Sequence, residues 1–235
     1  MRKIILLGDS FSSFITYDEK TRKTRKANNS KLYHLSSLGA KIYNLSSVGI
    51  TTDMAKEIID KNKRIIKNSS VILAFGLSDS AYNFDEIAYT PNGYLYPKNS
   101  IETFKKEYTQ IINIIRELGG IPLISIPFIQ NGEKFKNMLT RHGVSEFTVP
   151  REAIEKLYSI RYSYKEAAID IAKDMDVNII DVQSSLLSSG DIDSYISYDG
   201  IHLTDIGYGL WEYEIYRFFL NERPQKSIKK RVCLA

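Results

Sequence analysis

Short apolar runs recur along the chain with amphipathic stretches between them, and this alternation does most to narrow the fold. The runs fall at residues 4–7, 42–45, 71–75, 122–126 and 177–182. Each is bounded by turn residues and is largely apolar on both faces, as a strand is when a parallel sheet buries it on both sides. Helical periodicities fill the gaps at residues 54–66, 101–118 and 151–175, the last beginning after Pro150. A final one over residues 205–220 carries Tyr208, Trp211, Ile215 and Phe218 at helical spacing. Strand alternating with helix predicts an α/β fold, a three-layer α/β/α sandwich around a parallel sheet. With 235 residues, 43% of them hydrophobic, the chain can build one sizeable core, so a single domain over residues 1–235 is expected.

Two segments break the rhythm. Residues 80–100 carry Tyr82, Phe84, Tyr89, Tyr94 and Tyr96, and residues 128–150 are polar and punctuated by glycine. Both follow a strand, where the loops of an open parallel sheet build its site, so both are candidate insertions acting as lids or substrate walls. Packing of the aromatic loop on the domain is the plainer alternative for its tyrosines.

Charge and cysteine content exclude several classes. The net charge is only +4, with 28 acids against 32 bases, which implies no overall field for nucleic acid or membrane. The basic stretches at residues 20–26 and 229–231 read as solvated loop and tail, the second within a basic tail near 222–235. A lone Cys233 forms no intrachain disulfide, and no cysteine pair has metal-ligand spacing. The apolar run at 4–7 is too short for a signal-peptide core, and no run approaches the ~18 residues of a membrane span. A cytoplasmic protein without a membrane span or nucleic-acid partner is expected, its oligomeric state left open.

Two motifs carry chemistry. The first strand ends in Gly8-Asp9-Ser10, which puts a hydroxyl at the carboxyl edge of the sheet, and the stretch "YDGIHLTDIGY" (198–208) sets Asp199 three residues before His202. Acyl transfer needs a hydroxyl, a base to activate it, an acid to hold that base in one tautomer, and donors for the oxygen that becomes negative. Taken singly, Ser10 reads equally as a helix cap, Asp199 as a turn former before Gly200, and His202 as a core imidazole.

Together and in this order they resemble the SGNH hydrolases, the GDSL-type esterases and lipases, and four blocks spread over most of the chain carry the resemblance. "ILLGDS" is similar to the first block, "YNLSSVGITT" to the second, "VILAFGLSDS" to the third and "YDGIHLTDIGY" to the last, and "YSYKEAAIDIAKDMDVNIIDV" to the helix and strand before it. The resemblance implies a flavodoxin-like five-stranded parallel sheet. It also implies Ser10 as nucleophile, Asp199 and His202 as its acid and base, and an oxyanion hole of the Ser10 and Gly49 backbone N–H groups with position 78 as third donor. One departure stands out: the third block of the family reads G-x-N-D, whereas Gly76-Leu77-Ser78-Asp79 has serine in place of the asparagine donor.

Other readings are weaker. "GLSDS" is one residue short of the G-x-S-x-G nucleophile elbow, which would make Ser78 the nucleophile. His34 is expected to be a partly buried packing residue, and His142, beside Arg141, a surface or lid residue. No phosphate-binding glycine loop follows the first strand. The expectation is therefore a serine hydrolase that cleaves a small-molecule, glycan or lipid ester, for example an O-acyl or O-acetyl group, through an acyl-enzyme on Ser10, with no metal or cofactor. An acyltransferase using the same residues, or a weakly active carbohydrate- or lipid-binding relative, are the alternatives.

Overall fold

In a computed structural model, which describes residues 2–81, 97–126, 130–141, 151–188 and 190–221, the first strand β1 (Lys3–Gly8) leads into a hairpin of β2 (Ile15–Asp18) and β3 (Lys23–Lys26). Short helix α1 (Tyr33–Ser37), strand β4 (Lys41–Asn44), helix α2 (Thr52–Ile66) and strand β5 (Ser70–Ala74) follow. Next come α3 (Ile101–Glu117), β6 (Ile121–Ser125), α4 (Gly132–Arg141), α5 (Arg151–Asp174) and β7 (Asn178–Ile180). Helices α6 (Val182–Ser188), α7 (Ile192–Tyr195) and α8 (Asp205–Asn221) complete the described chain.

Five strands make one parallel sheet in the order β4-β1-β5-β6-β7, the flavodoxin-like arrangement. The period-two alternation of a strand sorts its residues to the two faces. Ile5, Leu7, Val71 and Leu73 face α2, α3 and α5, where they meet Ile59, Phe104, Tyr108 and Ala168. Their neighbours Ile4, Leu6, Ile72 and Leu123 face the other way, onto Leu35 of α1, Leu186 of α6, and Tyr208, Trp211 and Ile215 of α8. The runs of β1, β5 and β6 are therefore buried on both faces, which is why they lack a polar side, whereas the edge strand β4 is only half-buried. No helix among the described residues is long and apolar enough to cross a membrane.

Side chains set several helix starts. The Ser100 hydroxyl accepts from the Thr103 N–H at 3.2 Å ahead of α3, Asn131 Oδ1 from Lys134 at 2.9 Å for α4, and Asp181 Oδ1 from Ser184 at 3.0 Å for α6.

The structure departs from the sequence expectations in four places. The basic stretch at 20–26 is partly strand: Lys23–Lys26 pairs antiparallel with Ile15–Asp18, and Arg25 reaches Asp205 at 3.1 and 2.8 Å. All four residues of β3 are exposed, so the pairing leaves no hydrophobic alternation to read. Residues 132–141, expected as an irregular insertion, form helix α4, and the last strand is three residues long because Val182 already opens α6. His34 is exposed, its ring 5.9 Å from that of Tyr216 and 6.2 Å from that of Tyr213. The five aromatics of residues 82–96, His142, Cys233 and the tail from 222 lie outside the described residues.

At the end of β1 the backbone comes so close to β5 that only glycine fits. A Cβ on Gly8 would lie 2.1 Å from the Ala74 carbonyl oxygen and 2.5 Å from Ser12 Oγ. Gly8→Ala should therefore destabilise the protein by about 1–3 kcal/mol or more, since the clash is with sheet backbone that has nowhere to move. Urea unfolding reads this directly, and an unchanged midpoint would mean that the β1–β5 contact is slack.

Candidate active site

The sheet order places the loops after β4, β1 and β5 side by side at one edge, and these loops carry Gly49, Ser10 and Ser78. After Gly8 the chain coils into a tight turn in which the Ser13 N–H donates to the Asp9 carbonyl at 3.1 Å and the Ile15 N–H to the Ser10 carbonyl at 3.1 Å. Ser10 is 7% exposed, at the surface end of an otherwise buried turn. Phe11 and Phe14 point back into the core and pack on Tyr208 and Trp211 of α8, with ring centroids 5.1–5.6 Å apart.

Helix α8 is entered through a hairpin-like loop that holds Asp199 and His202. An isolated bridge joins Ile196 to Leu203, and the Ser197 N–H donates to the His202 carbonyl at 2.7 Å. Gly200 turns the loop with φ +71°, and a Cβ there would meet Asn131 O at 2.3 Å and Phe135 N at 2.5 Å. The loop is thus seated directly on the start of α4, and the Asn131 N–H returns a hydrogen bond to Gly200 O at 2.9 Å.

These two turns meet. Ser10 Oγ lies 2.9 Å from His202 Nε2, and His202 Nδ1 lies 2.6 Å from Asp199 Oδ2. A carboxylate only accepts, so the proton of the neutral imidazole sits on Nδ1 and leaves Nε2 free to accept from the Ser10 hydroxyl. The other Asp199 oxygen takes the Ser197 hydroxyl at 2.6 Å and the N–H groups of Ile201 and His202, each at 3.0 Å. Burial alone would push this carboxyl up. The hydrogen bond and charge of His202 and the Ser197 hydroxyl outweigh burial and bring its pKa down to about 2, so it stays ionised beside the imidazole.

The three residues expected to form an oxyanion hole differ in what they can still donate. Among the described residues, neither the Ser10 nor the Gly49 backbone N–H is bonded to another protein group. Gly49 adopts φ +79°, a conformation that suits glycine. The Ser78 N–H is already taken, donating to Asp9 Oδ2 at 2.9 Å, whereas the Ser78 hydroxyl makes no hydrogen bond among the described residues. As for the nucleophile-elbow alternative, His202 is bonded to Ser10 and not to Ser78.

Nothing in the sequence marks Asp9 beyond its place between Gly8 and Ser10, yet it ties two strand ends together. Its carboxyl is fully buried and accepts from Phe11 N at 3.0 Å and from Ser78 N at 2.9 Å. Burial pushes its pKa up to about 6 against those two hydrogen bonds. A second buried acid, Asp79, takes the Thr52 N–H at 2.9 Å, the Thr52 hydroxyl at 2.7 Å and the Asn99 amide at 2.8 Å, and so joins this loop to the start of α2. Burial raises its pKa too. Among the described residues no group of three or more His, Cys, Asp or Glu is placed to hold a metal ion.

Residues 6–210 match the GDSL-like Lipase/Acylhydrolase family. The chain belongs to that family. It carries the family's hydrolase fold, and solved structures agree: a lipase/acylhydrolase from Enterococcus faecalis superposes with a TM-score of 0.62 at 19% identity, over 93% of this chain and 95% of that one. An acetyl xylan esterase designated AlAXEase gives a TM-score of 0.61 at 17% identity, over 92% of this chain and 98% of that one. A variant of an acetyl xylan esterase from Geobacillus stearothermophilus gives 0.61 at 14%, over 92% and 93%. At such identities the likeness speaks to fold. No curated protein matches the sequence.

Asp9 makes the stability of this GDSL-family protein depend on pH in a defined direction. Unfolded, the carboxyl holds its proton only below about pH 4; native, it holds it up to about pH 6. The native state therefore binds more protons across that window, and this contribution to stability is lost as pH rises through it. Asp199 acts in the opposite sense and lower, contributing above about pH 4 and fading towards pH 2. Asp9→Asn, which cannot titrate, should remove the upper slope. The difference in unfolding free energy between the native protein and the variant should shift by up to ~3 kcal/mol from pH 4 to pH 7. Parallel profiles in urea would show that Asp9 carries no such load.

Proposed function

We propose that the protein is a serine ester hydrolase that works through an acyl-enzyme on Ser10. The observation that carries this reading is the continuous relay of Ser10 Oγ to His202 Nε2 at 2.9 Å and His202 Nδ1 to Asp199 Oδ2 at 2.6 Å. In the first half-reaction His202 takes the Ser10 proton as Oγ attacks the acyl carbon, and the ionised Asp199 stabilises the imidazolium that forms. The carbonyl oxygen becomes negative and is met by the Ser10 and Gly49 N–H groups, with the Ser78 hydroxyl as third donor. Collapse breaks the bond to the alcohol, which leaves with the proton from His202. Water then attacks the acyl carbon, His202 takes and returns one more proton, and Ser10 is released with the free acid.

For the substrate we infer a small O-acyl ester, such as an O-acetyl group on a carbohydrate or lipid. Acetyl xylan esterases among the structural neighbours support a short acyl group. The serine at position 78 gives a specific reason to expect a modest rate, since its side chain is shorter than the family's asparagine and its backbone N–H is held by Asp9.

Two measurements test the proposal. A fluorophosphonate probe should label the native protein and fail to label Ser10→Ala, while Asp199→Asn should cost about 10⁴-fold in kcat on an aryl acetate because the imidazole loses its tautomer-fixing acceptor. Labelling on a peptide that contains Ser78 and not Ser10 would overturn the assignment. For the third donor, Ser78→Ala should lower kcat by about 10²-fold if the hydroxyl meets the oxyanion, and Ser78→Asn should restore or raise it with less effect on KM. Equal kcat in all three proteins would remove position 78 from the oxyanion hole.

A further inference from the structure

The loop that carries the acid and the histidine holds one more buried side chain, and its hydroxyl is turned to that acid. Ser197 is 2% exposed and lies two residues ahead of Asp199, and its hydroxyl donates to Asp199 Oδ1 at 2.6 Å. Its backbone is engaged separately. The Ser197 N–H donates to the His202 carbonyl at 2.7 Å, and the Ser197 carbonyl accepts from the Gly200 N–H at 3.0 Å. One residue therefore touches both partners of the relay, the acid through its side chain and the base through its backbone.

The hydroxyl differs in kind from the other donors on the same oxygen. The N–H groups of Ile201 and His202, each at 3.0 Å, lie two and three residues after Asp199, where an aspartate that opens a turn ordinarily finds them. They account for the turn and would form without any reaction to serve. Ser197 reaches Oδ1 from the stretch before the turn, and the Ile196–Leu203 bridge beside it fixes its backbone. Its bond has the short length of an O–H donor on an ionised carboxylate.

Orientation is what such a donor supplies. The torsion that turns an aspartate carboxyl about its last carbon–carbon bond is broad and has no sharp wells of its own. Oδ2 has to face His202 Nδ1, 2.6 Å away, so that the proton stays there while Nε2 accepts from Ser10. A donor that grips Oδ1 from ahead of the turn stops the carboxyl from rotating and so fixes where Oδ2 points. We propose that Ser197 is a positioning residue of this hydrolase, acting on the reaction through Asp199 by holding its carboxylate in the orientation that His202 requires. Its effect on turnover rests on the esterase reading of Ser10, whereas its hold on Asp199 and His202 does not.

Ser197→Ala deletes the hydroxyl and leaves both backbone hydrogen bonds of residue 197 in place. On an aryl acetate kcat should fall by about 10- to 100-fold, the range for a hydrogen bond to a charged group, with little change in KM, because the imidazolium that Asp199 faces forms only on the way to the transition state. The same substitution made in Asp199→Ala should cost nothing further, since no carboxylate is left to orient. A general loosening of the loop would lower the residual rate there as well. An equal loss in both backgrounds therefore overturns the proposal, as does an unchanged kcat in the single variant. A second measurement needs no turnover. The proton on His202 Nδ1, in a short hydrogen bond to a carboxylate, resonates far downfield in proton NMR, and in Ser197→Ala it should move upfield and exchange faster with water. A resonance that stays in place, or that moves further downfield because the hydroxyl had been competing with His202 for the carboxylate, overturns the role of Ser197. Absence of ester turnover in the native protein would instead sink the reading of Ser10, and the NMR comparison would then decide on Ser197 by itself.

Discussion

Four aromatic rings hold together the two parts of the chain on which the site depends. Ser10 and His202 are 192 positions apart, and their hydrogen bond exists because Phe11 and Phe14, on the turn that follows Ser10, pack edge and tilt against Tyr208 and Trp211, on the helix that follows His202. Each ring buries a large apolar area and each tilted contact adds a little more, so this cluster outweighs the roughly 1 kcal/mol that a single serine–histidine hydrogen bond contributes. Polar tips pin its orientation: the Tyr208 hydroxyl donates to Ile15 O at 2.6 Å and Trp211 Nε1 to Ser125 Oγ at 2.9 Å. The hydrogen bond between Ser10 and His202 is a consequence of this packing.

The other side of Ser10 is built from buried acids. Asp9 fastens the ends of β1 and β5 to each other, and Asp79 fastens the loop after β5 to the first turn of α2. Burying a carboxylate is costly, and two or three hydrogen bonds offset the cost only in part, which is why burial raises the pKa of both. Asp199 shows the contrasting case. It is also buried, but a partner that can carry positive charge and three further donors keep it ionised. Where the donors include one that can carry positive charge the carboxyl's pKa falls, and where they do not, burial wins and the pKa rises.

Much of the architecture was legible because it rests on burial. Strands covered on both faces have no choice but to be apolar, so β1, β5 and β6 read clearly at 4–7, 71–75 and 122–126. The hairpin of β2 and β3 was not legible, since its outer strand is exposed at every residue, and helices α6 and α7 are too short to show a period. In the site, Ser10, Asp199 and His202 could be named from motif and order, and the structure brings them within hydrogen-bond reach. Asp9 escaped notice because its role lies in what it touches 69 positions away, at Ser78 N, and no local spacing encodes that contact.

The same contact explains how position 78 can differ from the family without disturbing the frame. Asp9 grips the backbone of residue 78 and is indifferent to its side chain, so a serine there keeps the loop after β5 in register with Ser10. What changes is reach: a hydroxyl sits on the first side-chain carbon, an amide nitrogen one bond further out. Because a preorganised donor acts on charge that exists only in the transition state, its distance counts in kcat far more than in ground-state binding. On the proposed reading of position 78, frame and chemistry are thereby uncoupled at this residue, its backbone position being set by a buried acid whichever side chain it carries.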